Sequence, residues 1–346
     1  MSHNKRVFYF DALRAMAIMG IVFCHASVFF LTFGVDNADF YSVAFFNCLR
    51  DFSIPVFVML SGALLLNRNE SFKAFFKKRL SRLLVPFLFW ALVYIIYSHN
   101  YTFSNMCNII FGHSGGLGVT FWFVWMIMLM YLGIFIINKL INRRGESIIY
   151  VLTVLSLAYF IIVKLGFSPY PDRMVYFASF IVYIIIGYFI AHHDLVGSRV
   201  NGKHLALLGL AVSVALYCYY ILGFVVPRSQ LSGRLICLGY FTPLLLILSV
   251  NVFIFFKYSD RTGMMERISK SRLGEIITLL SKYSFGIYLV HYLIIDIIKV
   301  NFLAYIHHYN SFVEILLLFS TTLIVSLAVL FVLDRIPFIN RFSGTH

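Results

Sequence analysis

A succession of apolar stretches, each long enough to cross a bilayer and each closed by a short polar loop, constrains this chain more than any other feature. The stretches fall at approximately residues 12–33, 44–66, 83–98, 120–141, 147–166, 174–192, 204–226, 235–256, 283–303 and 312–333. A helix needs about 20 apolar residues to span the hydrocarbon core of a membrane. Only 12% of the residues are charged, against roughly 25% in a soluble globular domain. The expected fold class is therefore all-α, a polytopic transmembrane helix bundle of about ten spans. Residues 1–346 are expected to form a single integral membrane domain with no appended soluble domain.

The net charge of +14 does not indicate a nucleic-acid partner, because the cations cluster at the ends of the apolar stretches. Even-numbered stretches are followed by basic loops: Arg68 to Arg82, Lys139 to Arg144, Arg199 to Lys203 and Lys257 to Lys282. Loops on the other side carry few cations, chiefly Arg173, Arg228 and Arg234. Of the 28 Lys and Arg, about 21 fall on the N-terminal side and about 5 on the other, which puts both termini in the cytoplasm by the positive-inside rule. Segment 257–282 reads as a cytoplasmic interfacial piece. The N-terminus is not expected to be a signal peptide, since Arg14 interrupts its start and no small-residue cleavage site closes the run. The five cysteines, Cys24, Cys48, Cys107, Cys218 and Cys237, lack metal spacing. The pairs His192-His193 and His307-His308 have no spaced partners either, so no metal site is expected.

Two side chains interrupt the apolar pattern of the first stretch. Arg14 and His25 are costly groups in a membrane segment, and such groups suggest function. Eleven residues at about 100° each amount to three turns plus roughly 20°, so both point the same way, about 16 Å apart along the axis. A neutral imidazole at that depth can accept a proton from a hydroxyl; it can equally bond a neighbouring helix. Asp11 precedes Arg14 by three residues and either holds its guanidinium or caps the helix. Arg50 and Asp51 lie at roughly the depth of His25 and either orient it, stabilise developing negative charge, or form an interface pair.

Further along, Lys77-Lys78-Arg79-Leu80-Ser81-Arg82 leads into the third stretch. Arg79 and Arg82 share a helix face, and guanidinium groups bind phosphate through paired hydrogen bonds. Basic residues at such a place also serve topology and headgroup contacts. His291 is the other deep histidine, within Ser281-Lys-Tyr-Ser-Phe-Gly-Ile-Tyr-Leu-Val-His291, either functional or bonded to a neighbouring helix. Trp122 and Trp125 suit an aromatic belt at the outer face. The glycine-rich segment 112–118 lacks the ending of a phosphate loop and reads as a lid or re-entrant turn.

Together these motifs resemble the membrane acyltransferase-3 family. Phe10-Asp11-Ala12-Leu13-Arg14-Ala15-Met16-Ala17 with His25 is similar to its Arg-x10-His signature. Ser53-Ile54-Pro55-Val56-Phe57 through Leu60-Ser61-Gly62, Arg79-x-x-Arg82, Trp122-Phe123 and Ser284-Phe285-Gly286-Ile287-Tyr288-Leu289-Val290-His291 resemble further motifs in order. One departure is Asp51, where the family pattern has an arginine four residues before Pro55; Arg50 stands beside it. The resemblance implies an O-acyltransferase that moves an acetyl or other short acyl group from cytoplasmic acyl-CoA to a hydroxyl. The implied acceptor is a cell-surface polysaccharide, such as an O-antigen or capsule, or its lipid-linked sugar unit. It implies Arg14, Arg79, Arg82 and Lys78 as acyl-CoA-binding residues. His25 is the implied catalytic base or acyl carrier, with Arg14, Asp11, Arg50 and Asp51 around it. Trp122, Ser284, Tyr288 and His291 are expected to be acceptor-side or structural residues. No permanently bound cofactor is expected; acetyl-CoA is a substrate. The implied setting is the bacterial inner membrane, with lipids, envelope glycan and polysaccharide-assembly proteins as partners and no nucleic acid. The rival readings are an exporter or proton-coupled carrier, and a structural scaffold.

Overall fold

A computed structural model describes residues 7–31, 45, 48, 50–112, 116–164, 180–195, 202–227, 242–306, 311–337 and 339–344. Among these the chain is helical throughout: α1 (Phe8–Leu31), α2 (Ser53–Leu65), α3 (Phe72–Tyr97), α4 (Phe103–Phe111), α5 (Trp122–Arg144), α6 (Ile148–Lys164), α7 (Ile181–His192), α8 (Gly202–Tyr220), α9 (Pro243–Arg261), α10 (Met264–Ser269), α11 (Arg272–Ile306) and α12 (Ser311–Arg335). Seven helices, α1, α3, α5, α8, α9, α11 and α12, are long and apolar enough to cross a membrane. The other three expected stretches fall on shorter apolar helices, α2, α6 and α7.

Two helix starts lie furthest from the sequence reading. Helix α3 begins at Phe72 rather than near residue 83, with Ser71 accepting a cap hydrogen bond from Ala74 N–H at 3.3 Å. Helix α11 begins at Arg272 rather than near 283. Segment 257–282 is accordingly no separate interfacial piece. It is divided among the end of α9, the short α10 and the first turns of α11. Hydropathy ends where charges begin, but Lys and Arg are good helix formers and extend a helix beyond its apolar part. Of the glycine-rich turn, residues 113–115 lie outside the described set, as do Arg173, Arg228, Arg234, Cys237 and the His307-His308 pair.

Helix α1 lies at the centre and packs on α2, α9, α11 and α12. Helices α2 and α7 meet backbone to backbone. The Ile184 carbonyl occupies the space a side chain on Gly62 would need, and the Met59 carbonyl does the same at Gly187. Small residues permit this approach, which tightens helix packing in apolar surroundings. The end of α7 is capped by Lys257 of α9, whose Nζ donates to the carbonyls of Ile190 at 2.5 Å and His193 at 2.6 Å. Those carbonyls have no intrahelical partner, and a cation suits the negative end of a helix dipole. The chain leaving α2 is held by buried Asn138 of α5, which donates to Leu65 C=O at 2.9 Å and accepts from Arg68 N–H at 3.3 Å.

One hydrogen bond has a structural consequence inside α11. The buried Tyr94 hydroxyl of α3 accepts from Leu293 N–H at 2.9 Å and donates to Leu289 C=O at 3.1 Å. It stands between two groups that would ordinarily bond each other along the helix. Such an insertion loosens a helix locally, and His291 lies within the loosened turn.

Candidate active site

The site begins at the N-terminal end of α1. Asp11 is buried and accepts from Ser281 Oγ at 2.6 Å and from Arg14 Nη1 at 3.5 Å. Arg14 Nη1 also donates to Ser281 Oγ at 3.0 Å. Of the two readings of Asp11, the contact with Arg14 is present, and a serine from α11 completes it. Residues 14 and 281 then fix the register of two helices. Eleven residues on along α1 is His25; ten residues on along α11 is His291. These two rings lie 5.2 Å apart, centroid to centroid. Two cross-contacts at matching intervals mean that α1 and α11 run parallel here, with Arg14 and His25 both facing α11. Tyr292 packs edge-on against the His25 ring at 5.4 Å.

Between these two levels lies a cavity of about 310 Å³. Arg14 and Ile21 of α1, Phe57, Ser61 and Leu65 of α2, and Arg79, Arg82 and Leu83 of α3 form part of its wall. Phe123, Val124, Ile127 and Tyr131 of α5 with Ser284, Phe285 and Tyr288 of α11 complete it. The wall reaches Ile21 on α1 and Tyr288 on α11, each about one helical turn short of the two histidines. A second cavity of about 580 Å³ shares Arg14 and is lined by Asp11, Asn67, Arg68 and His192 among others. It opens between the start of α1 and the ends of α2 and α7.

The arginines of α3 are held differently. Arg79 is buried and donates to Glu70 at 2.6 Å and 3.4 Å and to Phe75 C=O at 3.1 Å. Its guanidinium lies 3.8 Å from the Phe75 ring centroid. The hydrogen bond from Arg79 holds the Glu70 carboxyl below the usual carboxylate range. Arg82, one turn on, is exposed and lines the cavity. Lys78 is exposed and not in the wall. Pro86 inside α3 has no N–H to give to the Arg82 carbonyl four residues earlier, which weakens the helix at the cavity.

Arg50 and Asp51 lie in the turn before α2, paired at 3.3 Å. Asp51 is buried and accepts from Tyr217 of α8 at 3.3 Å. Arg50 stands beside Gly20 of α1, where a side chain would meet its Cβ and that of Ser53. The pair therefore packs against α1 just over a turn from His25. Ser284 is buried and donates to Ser281 C=O at 2.9 Å. Tyr288 donates to the Thr120 carbonyl just before α5 and packs on Phe123. Trp122 opens α5, while its neighbours Phe123 and Val124 face the cavity. Among the described residues no cluster of His, Cys, Asp or Glu could hold a metal.

Sequence reasoning gave no role to Ser281, Glu70, Tyr94 or Tyr292. Glu70 had a signal: it is the sole Asp or Glu between Asp51 and Glu146, set in a basic loop. Ser281 sits one turn before Ser284 inside the quoted motif. Tyr94 left none.

These features define an integral membrane helical bundle with a cation-mouthed cavity running toward paired histidines. A family model described as an acyltransferase domain matches residues 7–331. The chain belongs to that family, the membrane acyltransferase-3 family. No curated protein and no solved structure matches it.

Proposed function

We propose that the protein transfers an acetyl or other short acyl group from cytoplasmic acyl-CoA to a hydroxyl of a cell-surface polysaccharide or its lipid-linked sugar unit. The observation that carries this reading is the alignment of Arg14–Ser281 and His25–His291 along two parallel helices, with a cavity between. Their separation of about 16 Å suits a long, slender thioester arm. The cationic end suits the donor's phosphates: Arg14 and Arg82 at the first cavity, and Arg68 at the second, carry the guanidinium groups for that contact. Arg79 shapes the wall from its fixed place against Glu70 and Phe75. Lys78 contributes attraction from the surface.

In the reaction, His25 takes the proton of the acceptor hydroxyl. The alkoxide oxygen attacks the thioester carbonyl carbon, the C–S bond breaks, and the histidinium returns the proton to the departing thiolate. The products are the ester and the free thiol. The arrangement proposed is ten crossings, with α2, α6 and α7 completing the seven longer helices, both termini cytoplasmic, in the bacterial inner membrane. The cation asymmetry of the loops supports that orientation.

The test uses vesicles containing the wild type or His25→Ala, labelled acetyl-CoA and envelope glycolipids. Label reaching glycolipid with the wild type alone supports the reading. Donor binding without transfer by either protein, together with glycolipid movement across the vesicle, would replace it with a carrier.

A further inference from the structure

We infer that His291 is a positioning residue, which accepts a hydrogen bond from a ring N–H of His25 and thereby fixes the tautomer of the base. This rests on the proposed transferase reading. His291 Nδ1 lies 2.8 Å from the Tyr288 carbonyl and 3.0 Å from the Ile287 carbonyl. Carbonyls only accept, so Nδ1 carries the hydrogen and Nε2 presents a lone pair. The residue has no exposed surface, and Nε2 is buried with no hydrogen-bond partner among the described residues. A buried acceptor left unmatched is costly, and each such atom in a native structure calls for an explanation.

The explanation is the facing ring. Each imidazole nitrogen lies about 1.2 Å from its ring centre, so two rings joined end to end by an N–H···N bond of about 2.9 Å have centres roughly 5.3 Å apart. The His25 and His291 centroids are 5.2 Å apart, with the planes tilted by 44°. The separation is one over which such a bond can form, and a turn of the His25 ring supplies the alignment. Nothing has to be brought in from a distance.

The surroundings explain why His291 can face that way. The Tyr94 hydroxyl holds the Leu289 carbonyl and the Leu293 N–H. The helix turn around His291 is thereby loosened, and its side chain takes up carbonyls of its own helix. On the other side Tyr292 packs edge-on against His25. A donor bond from one His25 nitrogen to His291 leaves the other nitrogen unprotonated, ready for the acceptor hydroxyl. In many hydrolases a carboxylate does this for histidine. A neutral imidazole does it without a buried charge in the resting enzyme, which matters in a membrane.

The test compares His291→Phe, which keeps bulk but has no acceptor, with His291→Gln, whose amide oxygen reaches the position of Nε2. In nanodiscs, His291→Phe is expected to lower kcat by about 100-fold, with KM for acetyl-CoA changed less than twofold; His291→Gln recovers at least tenfold of that loss. Equal inactivity of both variants, with donor affinity intact, overturns the inference, as does a His291→Phe enzyme within twofold of wild type. A second readout needs no turnover. Histidine-selective 15N NMR, with His25 assigned by its loss in His25→Asn, is expected to show one tautomer in the wild type and a mixture in His291→Phe. An unchanged His25 spectrum refutes the positioning role. A wild type with a single tautomer but no transfer refutes the transferase reading and leaves the pair standing.

Discussion

Glu70 is expected to stabilise the fold only through Arg79, and a double-mutant cycle measures this. Arg79 is 7% exposed and Glu70 26%. Glu70→Ala removes both carboxylate contacts and leaves the buried guanidinium with the Phe75 carbonyl and the Phe75 ring. Breaking a fully buried pair from one side costs about 3–5 kcal/mol. A hydrogen bond to a charged group contributes about 1.5–3 kcal/mol. Glu70 is partly wet, so water recovers some of the loss and roughly 2–3 kcal/mol is expected. In an Arg79→Met background the same Glu70→Ala change removes only a loop carboxylate, for about 0.5 kcal/mol or less. The expected coupling is thus about 2 kcal/mol. The assay is reversible unfolding in mixed micelles followed by tryptophan fluorescence, with the four proteins in parallel. A coupling under about 0.5 kcal/mol would refute the claim that Arg79 is a wall residue held by Glu70, and would return it to the proposed donor-binding cations at the cavity mouth.

Three further outcomes follow from particular contacts. Gly62→Ala or Gly187→Ala forces α2 and α7 apart, because a backbone carbonyl fills the space in each case; a loss of about 1–3 kcal/mol is expected, read as a lower melting temperature, and full stability of both variants would refute the close crossing. Tyr94→Phe lets Leu289 C=O and Leu293 N–H bond each other, so the fold is retained while His291 shifts; kcat is expected to fall about tenfold with melting little changed, and unaltered kcat counts against the inserted hydroxyl. Arg79 holds the Glu70 carboxyl below its usual range, so the stabilisation from this depressed group is complete above the ordinary glutamate value and is lost only as pH falls through the lowered one. Glu70→Gln should therefore leave the pH profile of activity between about pH 5.5 and 8 in place, and a shifted acid limb would contradict this.

The helices were legible because hydropathy and length are local properties. Each of the ten apolar stretches has an apolar helix in the fold. Their starts were less legible at α3 and α11, where helix continues into charged residues that a hydropathy reading cuts off. The common face of Arg14 and His25 followed from spacing alone. That the face meets α11, with Ser281 and His291 at the matching interval, did not, since Ser281 lies 267 residues away from Arg14 and on a helix whose rotation no spacing rule sets. Tyr94 was invisible for the same reason: its hydroxyl enters a helix 195 residues further along the chain.

A charge in a membrane segment is costly and so suggests function, but that rule treats alike residues that the structure separates. Lys257, which hydropathy places in a basic loop just past the eighth stretch, is buried and its ammonium group closes the end of α7. Asp51 looks as promising as Asp11, yet Asp11 lines the second cavity whereas Asp51, paired with Arg50 and Tyr217, lines neither. Arg79 and Arg82 are three residues apart on one helix, and only Arg82 is exposed at the cavity. The distinction is whether a group's polar atoms are spent inside the protein. Lys257 spends its ammonium on two carbonyls, and Arg79 spends both terminal nitrogens on Glu70 and the Phe75 carbonyl with Nε alone left over; their loss should appear first in stability. Buried His291 keeps Nε2 unspent next to His25, so its loss should appear in turnover with stability retained. That ordering, stability before rate for Lys257 and Arg79 and rate before stability for His291, ties the architecture of the bundle to the chemistry proposed for it.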